Sequence, residues 1–171
     1  MAIAPRPILL LDIDGTLLPF GGPGMPSVPG PPETWTAASN PYLACIGRAM
    51  GPLLTGLGCE LVWATAWMHE ANHVIAPLLG LPSLPVADLP AYAGDRGAND
   101  LQWKTRALVR IAAGRPFVWV DDVIGDADRR WIDVDHPGVA LLHQVDPAVG
   151  LTSADLGAIA DWLRDVENFA R

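Results

Sequence analysis

Residues 8–16 read Ile8-Leu9-Leu10-Leu11-Asp12-Ile13-Asp14-Gly15-Thr16, an apolar run closed by two carboxylates at i, i+2. Consecutive apolar residues so near the N-terminus predict a strand buried on both faces, as in a parallel sheet. Two acids at the end of such a strand are costly unless they hold a cation or do chemistry. Strand periodicity puts Asp12 and Asp14 on one face, and Gly15 lets the chain turn sharply behind them. The stretch therefore predicts an anionic site at the carboxyl end of the first strand, where open α/β sheets bind their ligands.

Outward from that strand, helices and strands alternate. Pro19 to Pro32 is almost entirely Gly and Pro and reads as an exposed flap loop, residues 19–32. A helix is expected from Asn40–Pro41 to Leu57, with Asn40 as N-cap and Gly58 near its stop. Cys59 to Ala64 reads as strand two, His69 to Leu79 as helix, and Leu84 to Ala87 as a short third strand. Residues 88–100 read as loop, Leu101 to Ala113 as helix, and Phe117 to Val120 as strand four, followed by Asp121-Asp122. Asp126 to Val134 reads as a short helix and Val139 to Leu142 as strand five. A C-terminal helix runs from Ser153 to Phe169, with Thr152 or Ser153 as cap. This order implies one doubly wound, Rossmann-like α/β domain over residues 1–171, with a parallel five-stranded sheet and helices on both faces.

Composition narrows the function classes. Half of the 171 residues are hydrophobic, enough for a sizeable core. No apolar run approaches the roughly 18 residues of a membrane helix, and Met1 to Pro7 does not read as a signal peptide. The two cysteines, Cys45 and Cys59, fit reduced thiols of a cytoplasmic protein better than a disulfide framework, although one bridge is compatible with them. A formal charge of −8 disfavours a sequence-independent grip on nucleic acid. Arg106, Arg110 and Arg115, and Arg129 with Arg130, leave room for a local basic patch.

The remaining polar signals fall at strand ends and helix starts. Thr65 follows strand two and Ala66-Trp67 leads into the next helix, a place for an anion on the hydroxyl and backbone N–H groups. Lys104 opens the helix before strand four, and Asp121, Asp122 and Asp126 follow that strand. Carboxylates, a hydroxyl and a lysine around one point suggest Mg²⁺ together with a phosphate.

Asp12-Ile13-Asp14-Gly15-Thr16, Thr65, Lys104, and Asp121-Asp122 with Asp126 together resemble the four ordered motifs of the haloacid dehalogenase (HAD) superfamily, over residues 8–126. Trp63-Ala64-Thr65-Ala66-Trp67 also resembles phosphatase-like domains associated with RNA-repair proteins. The resemblance implies a phosphomonoester hydrolase with an aspartyl-phosphate intermediate. It implies Asp12 as nucleophile, Asp14 as general acid and base, and Thr65, Ala66 and Lys104 around the phosphoryl group. Asp12, the backbone carbonyl of Asp14, and Asp122 would hold Mg²⁺, with supporting roles for Thr16, Asp121, Asp126 and Trp67. An acid at position 14 favours rapid hydrolysis of the phosphoenzyme. Short stretches after strand one and at residues 88–100 leave no room for a cap domain, so a large phosphorylated substrate or a second copy of the chain is expected to cover the site.

Asp121 is either a ligand or a structural acid, and Asp126 is equally an N-cap. His69-Glu70-Ala71-Asn72-His73 matches the H-E-x-x-H zinc pattern but lacks a supported third ligand. Trp67 and Trp35 can stack a base or an aromatic leaving group. An RNA or DNA end-processing phosphatase, and a non-catalytic, receiver-like phosphate-binding module, are the alternative functions.

Overall fold

The computed structural model describes residues 6–23, 25, 36–92, 94–95 and 100–169. Most of the Gly/Pro stretch at 19–32, and Trp35, lie outside the described residues. Four parallel strands are described, β1 (Ile8–Leu11), β2 (Glu60–Trp63), β3 (Phe117–Asp121) and β4 (Ala140–Gln144), in the order β2-β1-β3-β4. The first crossover goes to one side of β1 and the next returns to its other side, which makes the β1/β3 boundary the switch point of the sheet.

Alternation along β1 divides the core. Leu9 and Leu11 pack with Trp63, Val118 and Val120 against Leu54 of α1 (Met50–Gly56), Leu79 of α2 (Ala76–Leu79) and Ile159 of α5 (Ser153–Phe169). Ile8 and Leu10 pack with Phe117 and Trp119 against Leu108 of α3 (Thr105–Ala112) and Ile132 of α4 (Asp126–Asp135). Both faces are thus covered by helices, the reason β1 is apolar at every position. Among the described residues no helix is long and apolar enough to cross a membrane.

The expected third strand, Leu84 to Ala87, is corrected to a single parallel bridge, Trp63 with Val86, which leaves four strands described instead of five. Pro85 offers only its carbonyl, which accepts from Trp63 N–H at 2.9 Å, and Ala87 N–H returns to Trp63 O at 2.8 Å. With Pro82, Pro85 and Pro90 lacking donors, a longer ladder cannot form here.

The helix expected over 40–57 is interrupted. Asn40 does cap, its side chain accepting from Tyr42 N–H at 2.9 Å, but it starts only a 3₁₀ turn, Pro41–Cys45. Ile46 is extended and α1 begins at Met50. Pro52 explains the break, because proline fits the first helical turn and not an interior. Gly51 then lets α1 sit directly on α2, since a Cβ there would fall 1.7 Å from the Leu79 carbonyl oxygen. Pro77 shapes the next helix in the same way: a π-turn at Ala71–Ile75 precedes α2, with Ala76 N–H bonded to Ala71 O. Thr152 caps α5, its hydroxyl accepting from Asp155 N–H at 3.2 Å.

Candidate active site

Strand register assembles the site. Leu11 pairs with Val120, so the next residues, Asp12 and Asp121, leave neighbouring strands side by side. By alternation both point to the α3/α4 face, as do Leu10 and Trp119. Lys104 is the residue immediately before α3 on that face. Its ammonium donates to Asp12 Oδ1 at 2.7 Å and to Asp121 Oδ2 at 2.6 Å, with all three groups buried. A lysine and two acids distant in sequence thus form one ion cluster at the switch point.

The two ends of the cluster differ. Asp121 is enclosed by donors: Oδ2 also accepts from the Trp119 indole at 3.1 Å and the Gln102 amide at 3.4 Å, and Oδ1 accepts from Val123 N–H at 2.9 Å. Its geometry is that of an acid that fixes Lys104. Asp12 faces a cleft of about 320 Å³ that Asp14, Ala66, Lys104, Asp121 and Asp122 also line. Oxygens of Asp12, Asp121 and Asp122 lie within 4.8 Å of one another. Asp122 packs on Gly15, which has φ +71°, and a Cβ there would fall 2.4 Å from Asp122 Oδ2. The sharp turn after Asp14 therefore needs glycine both for its backbone and for the carboxylate beside it.

Electrostatics follow from this crowding. Burial, then the neighbouring Asp121, holds the Asp12 carboxyl well above the usual range, despite the opposing pull of Lys104. Burial and then Asp121 push Asp122 up to about 6. Asp14 is exposed to the cleft, yet the surrounding protein displaces enough water to raise its carboxyl, while a hydrogen bond from Trp67 Nε1 at 2.9 Å opposes the rise. Burial alone would lower the Lys104 ammonium, but Asp12 and then Asp121 outweigh it and hold it above its ordinary value. Four carboxylates against one ammonium leave an excess of negative charge in confined space. A hard divalent cation relieves that excess, so the donor set fits Mg²⁺.

The other residues expected in the site are placed as follows. Thr65 is buried at the end of β2, and its Oγ1 accepts from Trp67 N–H at 3.3 Å; its neighbour Ala66 reaches the cleft. Trp67 is committed to Asp14 through its indole N–H. Thr16 is buried in the turn after β1, where its carbonyl accepts Leu151 N–H at 2.7 Å; among the described residues its Oγ1 has no partner. Asp126 is exposed in the first turn of α4, outside the acid cluster, and Gly125 occupies the N-cap.

His69 and His73 are both exposed, and His73 pairs with Glu70 at 3.6 Å. The residue of that segment with a structural task is Asn72, whose Oδ1 accepts from the Trp63 indole at 2.9 Å and Leu84 N–H at 2.8 Å. Both cysteines are free thiols. Three of the five arginines have local contacts: Arg115 is paired to Glu60 at 2.6 Å, Arg129 donates to Leu142 O, and Arg106 lies over Trp131.

Sequence reading missed several residues. Asp128 is fully buried and accepts from Gln102 N–H at 2.8 Å, Thr105 Oγ1 at 2.6 Å and Gly125 N–H at 2.9 Å, tying the approach to α3 to the start of α4. Gln102 in turn accepts Lys104 N–H at 2.7 Å through its side chain. Tyr92, Trp103 and Phe20 line the cleft. Asp128 at the third helical position after Gly125 carried a capping signal; the three aromatics carried none.

The parallel sheet, its switch-point acids and the buried lysine define a HAD-type hydrolase domain. The family model described as the HAD domain in Swiss Army Knife RNA repair proteins matches residues 8–156, and the chain belongs to that family. No curated protein and no solved structure matches the chain.

Proposed function

We propose that this domain is a Mg²⁺-dependent phosphomonoesterase that works through an aspartyl-phosphate. The observation that carries the reading is the buried Lys104 ammonium held between Asp12 and Asp121 where they line the cleft. Asp12, Asp122 and the backbone carbonyl of Asp14 are the ligands we assign to Mg²⁺, with Asp121 reserved for Lys104. When bound, Mg²⁺ supplies positive charge that lets an anionic carboxylate approach an anionic phosphoryl group.

Lys104 fixes the Asp12 carboxylate and offsets its charge, and an Asp12 oxygen attacks phosphorus as the ester P–O bond breaks. Asp14, exposed to the cleft and raised toward the protonated form, gives its proton to the departing oxygen. The same carboxylate then takes a proton from water as that water attacks phosphorus and the P–O bond to Asp12 breaks. Inorganic phosphate leaves, and both acids return to their starting states. Thr65 and the Ala66 backbone are assigned to the phosphoryl oxygens.

The short segments at 19–32 and 88–100 support a site without a cap domain, so small esters gain little from remote contacts. The family's description favours one second reading, a phosphatase for RNA ends. A receiver-like, non-catalytic module is disfavoured by Asp14, which gives the cleft an acid for hydrolysis. The test is release of phosphate from an aryl phosphate with and without Mg²⁺. Turnover that needs Mg²⁺ is expected; no turnover of any phosphomonoester by folded protein overturns the proposal.

A further inference from the structure

The phosphate half of the cleft is charged, and its outer half is aromatic. Tyr92, Trp103 and Phe20 line it, and Tyr92 and Phe20 leave 57% and 42% of their surface exposed. Tyr92 and Trp103 meet edge to face, with ring centroids 5.4 Å apart at 77°. Asp95 locks the pair from both sides: its carboxylate accepts the Tyr92 hydroxyl at 3.0 Å, and its carbonyl accepts Trp103 N–H at 3.1 Å. The Trp103 ring centroid is only 5.6 Å from Lys104 Nζ. A group esterified to a phosphate beside Lys104 therefore emerges next to a pre-set aromatic surface.

Tyr92 and Phe20 are exposed, while Trp103 is partly buried against the core and anchors the Tyr92 ring; rings held in place offer a flat ligand a platform at small entropic cost. The cleft, about 320 Å³, is at the small end of ligand sites. That suits one phosphate and one ringed group, with the rest of a longer substrate outside. We infer that Tyr92 and Trp103, with Phe20, form a leaving-group subsite that takes a nucleobase carried on the alcohol side of the ester. The inference rests on the phosphomonoesterase reading. It places base stacking on rings that line the cleft, which Trp67 does not.

The experiment compares a nucleoside 5′-monophosphate with ribose 5-phosphate, which has the same primary ester and no base. Hydrolysis is measured with wild type, and equilibrium binding with Asp12→Asn, which retains the cleft. A base should raise both kcat/KM and affinity about tenfold or more, the range of single-base stacking. Tyr92→Ala should bring the ratio close to one, whereas Tyr92→Phe, which keeps the ring, should retain most of it. A short 5′-phosphorylated oligonucleotide is the third substrate. Equal kcat/KM for it and the mononucleotide assigns the site to free nucleotides, and a higher value assigns it to polynucleotide ends. A wild-type ratio near one with measurable hydrolysis overturns the subsite and leaves the phosphatase reading intact. A retained binding ratio with no hydrolysis of any ester supports the subsite and overturns the phosphatase reading.

Discussion

Asp128→Ala removes a buried carboxylate that joins two elements beside the site without touching the cleft. Three donors lose their acceptor: Gln102 N–H, the Thr105 hydroxyl and Gly125 N–H. A buried donor left unpaired costs about 1–3 kcal/mol. The hydroxyl can rotate toward another acceptor, so the sum should fall near ~3–5 kcal/mol rather than at the upper bound. In a domain of this size each kcal/mol is worth about 2–4 °C in Tm, so a fall on the order of 10 °C is expected. Asp128→Asn keeps one oxygen for Gln102 and Thr105 but sets an amide N–H₂ against Gly125 N–H, so its cost should be about 1–3 kcal/mol. Thermal and urea unfolding followed by circular dichroism measure both variants. At a temperature where the Ala variant is still folded, kcat should fall several-fold, since Gln102 also holds the Lys104 backbone. A loss within about 0.5 kcal/mol, the range of an ordinary surface change, would refute the role assigned to Asp128.

Lys104→Met should cut phosphatase kcat about a hundredfold or more, the loss expected when a pre-placed charge at the phosphoryl group is removed; a change under threefold in a folded variant contradicts its assignment. Gly15→Ala forces a left-handed Ala, costing about 1–2 kcal/mol, and displaces Asp122. Its Mg²⁺ affinity by titration calorimetry should drop at least tenfold, and unchanged affinity removes Asp122 from the ligand set. Asp122 titrates at about 6 without metal, so Mg²⁺ binding must release its proton below that pH. Affinity should fall by about tenfold or more per pH unit below 6, a slope that Asp122→Asn should make shallower while the raised Asp12 carboxyl keeps part of it; a flat wild-type profile from pH 5 to 7 speaks against the assignment. The metal-free fold responds with the opposite sign: the raised Asp122 contributes stability at low pH that is lost as pH rises through about 6. His69→Ala with His73→Ala should leave turnover within twofold, and stoichiometric zinc held by those side chains would reverse the ranking.

Sequence carried the site further than the surrounding fold. Asp12, Asp14, Lys104, Asp121 and Asp122 stand at strand ends or a helix start, where the topology of a parallel sheet leaves little choice of direction, and the structure brings all five to one cleft. What was illegible depended on long-range partners. Asp121 reads the same as Asp122 in the chain; only the donors from Trp119, Gln102 and Val123 show which acid serves Lys104. Nothing beside Trp67 in the chain shows that its indole turns to Asp14, and nothing beside Tyr92 or Trp103 marks them as lining the cleft. The interrupted helix at 40–57 and the lost strand at 84–87 were legible in part. Pro52 and Pro85 mark both, but apolar spacing across them is compatible with continuous elements.

In the proposed mechanism Asp12 becomes phosphorylated. Its most direct test is rapid quenching of Asp14→Asn with an aryl phosphate and Mg²⁺, followed by mass analysis of the peptides. Without the Asp14 carboxyl to activate water, the phosphoenzyme should persist, and a phosphoryl group should be found on the peptide that contains Asp12 and nowhere in Asp12→Asn. Undiminished turnover by folded Asp12→Asn, or a phosphoryl group on another residue, would contradict the account.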